Sequence, residues 1–200
     1  VLDQSIEAQI ADLAARFGEP QRVVAELQGT PFSPISESDR IGEVCMVIRR
    51  KNGRFLTAIK TFYPPNAFRL LTGGIHHGEG IETALLREVW EETGLDVALR
   101  RFLAIIEYRL ISPAFAGQAE PHFVTFAFLL DELGGTLAPQ DPNEQLESFH
   151  EVDLTELPRL ADTLAQVEDT YSDDIGGNWR DWGEFRAVVH RVVYDVVRCA

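Results

Sequence analysis

The stretch from Gly73 to Leu95, GGIHHGEGIETALLREVWEETGL, constrains this chain more than any other. Ile81, Ala84 and Leu85 recur at helical spacing, and Gly94 stands where a helix C-terminal stop is expected. Continuing that apolar stripe along the helix reaches Glu88, Glu91 and Glu92. Three carboxylates therefore share one helix face, at positions where the pattern calls for core residues. They also crowd the helix C-terminus, where negative charge opposes the macrodipole. Two local rules broken together are expected at a functional site. A divalent cation, which takes carboxylate oxygens as ligands, relieves both conflicts. A solvated acidic helix end is the plainer reading of the triplet taken alone.

The glycines change that balance. The strand-like run Phe68-Arg69-Leu70-Leu71 enters Gly73-Gly74, and Gly78 and Gly80 flank Glu79. A strand, a Gly-rich loop and an acidic helix suit phosphates beside a metal, because glycine lets backbone N–H groups approach an anion. Gly73 and Gly74 are the expected phosphate loop.

Gly73, Glu79, Arg87, Glu88, Val89, Glu91, Glu92, Gly94 and Leu95 fill, in register, the pattern G-x5-E-x7-R-E-U-x-E-E-x-G-U, with U apolar. The stretch resembles the Nudix box. At about 6% per fixed residue, a chance match in a chain of this size is on the order of one in ten million. Thr72 stands where many members have proline. The resemblance implies an α/β Nudix fold, an α/β/α sandwich around a mixed sheet. It also implies Mg²⁺ or Mn²⁺ and hydrolysis of a diphosphate bond in a nucleoside diphosphate linked to another moiety, X. Glu88, Glu91 and Glu92 are then metal-binding carboxylates, one of which could instead orient water. Glu79 is a ligand of a second ion or a partner of Arg87. Arg87 holds a glutamate in place, as a bidentate guanidinium–carboxylate pair does. In this family the general base often comes from a loop far from the box, and the candidates are Glu144, Glu147 and Glu107.

Two other classes share the fold. A catalytically silent nucleotide-binding module usually shows lost glutamates, and none is lost here. Isopentenyl diphosphate isomerase uses a catalytic cysteine, whereas Cys45 sits in an apolar strand-like run and reads as a core thiol. The X moiety stays open among ADP-ribose, nucleotide sugars, dinucleoside polyphosphates, damaged nucleoside triphosphates and coenzyme A. ADP-ribose hydrolysers often carry a proline roughly 15 residues past the box, and Pro113 stands 18 past Leu95.

A net charge of −14 and no basic stripe argue against extended nucleic acid as a partner. The charge of a small phosphorylated substrate would be met locally, by metal and a few arginines. No apolar run is long enough for a membrane span, and the N-terminus shows no signal-peptide pattern. Cys45 and Cys199 show no disulfide or metal spacing, so a reducing cytoplasm is the default.

The remaining periodicities predict a helix over 3–17, a short apolar patch at Val23, Val24 and Leu27, and a linker at 30–34. Strands follow at 41–48 and 55–60, then at 97–109, 122–130 and 149–152, with a turn at Leu133-Gly134-Gly135. Helices are expected at 155–167 and 182–196, the second against the strand propensity of its valines. The Pro/Gly/Ala loop 112–121 is long enough to contact substrate. His76 and His77 read as substrate-proximal at most, while Phe62, Tyr63, Trp179 and Trp182 read as packing rather than base-stacking platforms. The expected organisation is an N-terminal helical extension (1–39), a Nudix domain (40–168) and a C-terminal helical extension (169–200). The N-terminal extension would pack against the domain or against a second copy in a homodimer, or serve as a substrate lid.

Overall fold

A computed structural model describes residues 4–36, 40–111 and 122–199. The expected substrate-contacting loop 112–121, with Pro113, lies outside the described residues. In chain order the elements are α1 (Gln4–Phe17), β1 (Gln21–Gln28), β2 (Arg40–Arg49), β3 (Phe55–Lys60), β4 (Leu71–His76) and α2 (Ile81–Thr93). β5 (Leu95–Ile111), β6 (His122–Gly135), β7 (Leu146–Val152), α3 (Leu157–Ala165) and α4 (Trp179–Arg198) follow.

The layers grow from the two-residue period of the central strands. In β2, Val44, Met46 and Ile48 point to one face, where α1 and α2 supply Ile6, Ile10, Leu13, Ile81, Ala84 and Leu85. Cys45 and Val47 point to the other face, where α3 and α4 supply Leu157, Leu164, Trp182, Phe185 and Val189. Both faces of β2 are thus buried, and each fully buried Leu, Val or Phe contributes roughly 1.5–3 kcal/mol. β2 runs parallel to β6 and antiparallel to β4, and β6 runs antiparallel to β5. β1 lies parallel to β5 at one edge, and β3 pairs antiparallel with β7 at the other. This is a mixed sheet between helical layers, the α/β/α sandwich that the resemblance implies.

The structure departs from sequence expectation in three places. The patch at Val23, Val24 and Leu27 is strand β1, with Leu27 buried and Val24 exposed. Segment 1–39 therefore holds a helix and a sheet strand rather than helix alone. Gly73 and Gly74 lie inside β4, opposite Val44 and Glu43, rather than in a loop. Leu133-Gly134-Gly135 continues β6, with Gly134 and Gly135 opposite Asp96 and Leu95. In α4 the helical stripe Trp182, Phe185, Val189, Val193 and Val196 is buried against the sheet, and that packing overrides the valines' strand preference. Tyr63 packs edge-on to Trp179 and Trp182, with ring centroids 5.9 and 4.7 Å away.

Candidate metal and phosphate site

The helix that carries the carboxylates is fixed at both ends by distant chain. Gly80 offers α2 no capping side chain, and Gln9 of α1 takes that role, its Oε1 accepting from the Ile81 N–H at 2.8 Å. Arg16 of α1 donates to both oxygens of Glu82 at 2.7 and 2.8 Å. At the C-terminus Gly94 adopts φ 64°, the left-handed turn that glycine tolerates. The last carbonyls of α2 are then taken up by the segment after β6. The N–H of Ala138 donates to Thr93 O at 3.0 Å, and that of Gln140 to Glu91 O at 2.8 Å. These bonds tether the loop that carries Glu144 to the acidic end of α2.

Arg87 organises the cluster. Its Nε and Nη2 donate to the two oxygens of Glu79 at 2.8 Å each, and its Nη1 donates to Glu88 and Glu91 at 2.8 Å each. Nη2 also donates to the Gly74 carbonyl at 2.9 Å. One guanidinium thus fixes three carboxylates and the strand beneath them, and it holds the Glu79 carboxyl below its ordinary range. Of the two expected roles for Glu79, pairing with Arg87 is the one these distances describe.

Glu88, Glu91 and Glu144 each place a carboxylate oxygen within 4.8 Å of the others. Glu144 is also held by Lys60 Nζ at 3.0 Å. Glu92 faces the same cleft, is 1% exposed, and its Oε2 has no hydrogen-bond partner among the described residues. Burial pushes its carboxyl up to about 8, against the pull of Arg69 and Lys60. Burial also raises Glu88, opposed by Arg87. Three converging carboxylates, with a desolvated and unpartnered Glu92 oxygen in the same cleft, fit a hard divalent cation. Of the three glutamates on the helix stripe read from sequence, Glu88 and Glu92 occupy buried positions in line with Ile81, Ala84 and Leu85, while Glu91 is partly exposed.

Gly73 is required by contact. A Cβ there would collide with the Glu88 carboxyl group, while one on Gly74 would lie 3.0 Å from the Arg40 guanidinium. The cleft encloses about 370 Å³, with Arg40 and Lys60 at its rim. Those two cations stand at strand ends far from the box, where no spacing signal marks them. His76 lines the cleft and His77 is exposed. Glu147 is exposed on β7, and Glu107 sits on β5 between Val24 and Val124; neither is among the residues that line the cleft. Cys45 is fully buried and its thiol is pushed up by burial, so it is no nucleophile.

Strand β4 is also held from behind by α4. His190 Nε2 accepts from the Leu70 N–H at 2.9 Å, and Arg186 Nη1 donates to Thr72 Oγ1 at 3.0 Å. Burial lowers His190 to about 4, which keeps its ring neutral and able to accept.

Arg87→Ala is expected to lower turnover roughly 10²-fold, the scale of an ångström-sized misplacement of reacting groups. The melting transition should remain cooperative. Unchanged steady-state kinetics in a folded variant would remove the positioning role.

Comparison with known proteins agrees with the site. The NUDIX domain model matches residues 39–174. An ADP-ribose pyrophosphatase of Methanocaldococcus jannaschii is 32% identical over 116 residues, 58% of this chain and 58% of its own. The NAD-capped RNA hydrolase NudC of Vibrio atlanticus is 30% identical over 138 residues, 67% of this chain and 47% of its own. The chain spans about half the length of these curated relatives. A crystal structure of an ADP-ribose pyrophosphatase from Streptococcus suis covers 78% of this chain and 90% of its own, at 17% identity and a TM-score of 0.46. With the box intact and the domain match spanning well over half its residues, the chain belongs to the Nudix hydrolase family.

Proposed function

We propose that the chain is a divalent-metal-dependent hydrolase that cleaves the diphosphate bond of a nucleoside diphosphate linked to X. The observation that carries this reading is the cleft in which Glu88, Glu91 and Glu144 converge beside the orphaned Glu92 oxygen. The two curated relatives, named for ADP-ribose and for NAD-capped RNA, support a nucleotide substrate. Glu88, Glu91 and Glu92 would hold Mg²⁺ or Mn²⁺, with Glu144 beside them. When bound, such a cation supplies charge neutralisation at the phosphates and Lewis acidity.

The chain's own residues supply position and proton handling. Gly73 and Gly74 keep the floor of the cleft low beneath the diphosphate, and Arg40 and Lys60 meet its negative charge from the rim. Arg87 keeps Glu79, Glu88 and Glu91 from drifting apart. Glu144, on a loop outside the box and held by Lys60, would accept a proton from the attacking water.

The test is a panel of ADP-ribose, a nucleotide sugar, a dinucleoside polyphosphate and coenzyme A with Mg²⁺, following release of nucleoside monophosphate or, from coenzyme A, of the nucleoside bisphosphate. Release that stops with EDTA is the expected result. Tight nucleotide binding with no release from any member would make the chain a silent binding module instead. Among the described residues no helix is long and apolar enough to cross a membrane.

A further inference from the structure

Beside the carboxylate cleft lies a second one, of about 210 Å³, which shares Arg40, Lys60, Thr72 and the Gly73-Gly74 backbone with it. Its farther wall contains Arg69, Arg186, Tyr63 and Trp182, with Asp174 beside them. Arg186 and Trp182 come from α4, beyond the segment matched by the family.

The two arginines differ in how their charge is met. Arg186 is 5% exposed, and its Nη1 donates to both oxygens of Glu43 at 2.8 Å. Its Nε has no partner among the described residues. Arg69 is 4% exposed and forms no ion pair among the described residues. Its Nε donates to the Tyr63 hydroxyl at 3.0 Å, and its Nη1 to the Leu70 carbonyl at 2.9 Å and Thr72 Oγ1 at 3.0 Å. All three acceptors are neutral. Glu43 is already committed to Arg186 and to the Thr125 hydroxyl. A buried cation with no paired anion is costly, and the cost falls when an anion arrives. Arg40 and Lys60, at the shared rim, are placed for the diphosphate. Of the two clefts, Arg69 lines only the second, so the diphosphate leaves its charge unanswered, whereas that of Arg186 is met by Glu43. Tyr63 and Trp182 meet at an interplanar angle of 62°, their faces turned to each other's edges rather than offered to a base.

We propose that this second cleft is a subsite for an oxyanion carried by X, a phosphate or carboxylate beyond the scissile diphosphate. The preferred substrates are then nucleoside diphosphate derivatives whose X moiety is itself acidic. The identity of the ligand as X rests on the hydrolase reading, while capture of the anion does not require turnover. Of the two carboxylates in the lining among the described residues, Glu43 is neutralised by Arg186, and the exposed Asp174 weakens the site.

The test titrates the full chain, in EDTA, with ribose 5-phosphate, ribonate and ribose. At least one of the two anions should bind tenfold or more tighter than ribose. Preference for ribose 5-phosphate identifies a phosphate site, and preference for ribonate a carboxylate site. Asp174→Asn should tighten the anion roughly two- to fivefold, the scale of one exposed charge interaction. Arg69→Met should loosen it roughly tenfold or more, as loss of a charge-assisted hydrogen bond does. If Arg69→Met does not fold, the surface variant Asp174→Asn still decides. Equal binding of the three ligands, or anion affinity indifferent to Asp174→Asn, overturns the proposal. In a parallel arm with Mg²⁺, kcat/KM for a nucleoside diphosphate sugar should rise tenfold or more when the sugar carries a phosphate, and an equal or lower value also overturns it. Absence of hydrolysis from every substrate would count against the hydrolase reading and leave the EDTA titration to judge the subsite.

Discussion

Glu92→Gln is expected to lower turnover 10²-fold or more and, without metal, to make the protein more stable at pH 8. The loss of rate follows from removing one anionic oxygen where several kcal/mol of charge stabilisation are needed, each 1.4 kcal/mol being about tenfold. The gain in stability follows from burial. An unfolded glutamate ionises near pH 4.3, whereas the buried Glu92 holds its proton to about 8. The native state therefore binds the proton more tightly. Its contribution is fully present below about pH 4.3 and is lost as pH rises through about 8. The loss is on the order of a few kcal/mol, and glutamine does not suffer it. Glu88, also raised by burial, adds a loss of the same sign to both proteins. Melting curves in EDTA at pH 5 and pH 8 check this: the gap between variant and wild type should open with pH. Mg²⁺ should close it, by binding the native wild type preferentially. A gap that does not change with pH, with no response to Mg²⁺, would mean a carboxylate cluster that is purely structural.

Glu144→Gln is expected to cost 10²–10⁴ in kcat, the range for loss of a general base. Glu144 stands within 4.8 Å of Glu88 and Glu91, whereas Glu147 is exposed on the neighbouring strand. Glu147→Gln should therefore remain close to wild type. A pH–rate profile separates the roles, because removing a base flattens the rise of kcat with pH, and loss of ion binding is compensated by raising Mg²⁺. If Glu144→Gln keeps a near-normal rate, the base lies among the box glutamates.

What was legible in the sequence was local. The 3.6-residue stripe of α2 predicts Glu88, Glu91 and Glu92 on one face, of which Glu88 and Glu92 are buried, and Gly94 marks its end. The apolar run 41–48 marks a strand, and the structure buries it on both faces. What escaped depends on partners far along the chain. β1 is a half-exposed edge strand whose pairing with β5 cannot be inferred from three scattered apolar residues. Gly73 looked like a loop residue because glycine usually marks turns. Its place in β4 is set by the Glu88 side chain packed on it from α2. Glu144 reaches the box because the carbonyls of Glu91 and Thr93 need donors and the 138–141 backbone provides them. Arg40, Lys60 and Arg186 converge only through the order of the strands and the seat of α4.

The most direct test of the metal-dependent cleft is a calorimetric titration of Mg²⁺ into the full chain at pH 7, repeated in buffers of different ionisation enthalpy. Saturable binding is predicted, with net proton release, because a ligating carboxylate must give up the proton that Glu92 otherwise holds. Glu88→Gln and Glu91→Gln should weaken that binding, and Glu92→Gln should abolish the proton release. Absence of saturable Mg²⁺ or Mn²⁺ binding, or binding unchanged in all three variants, would contradict the account.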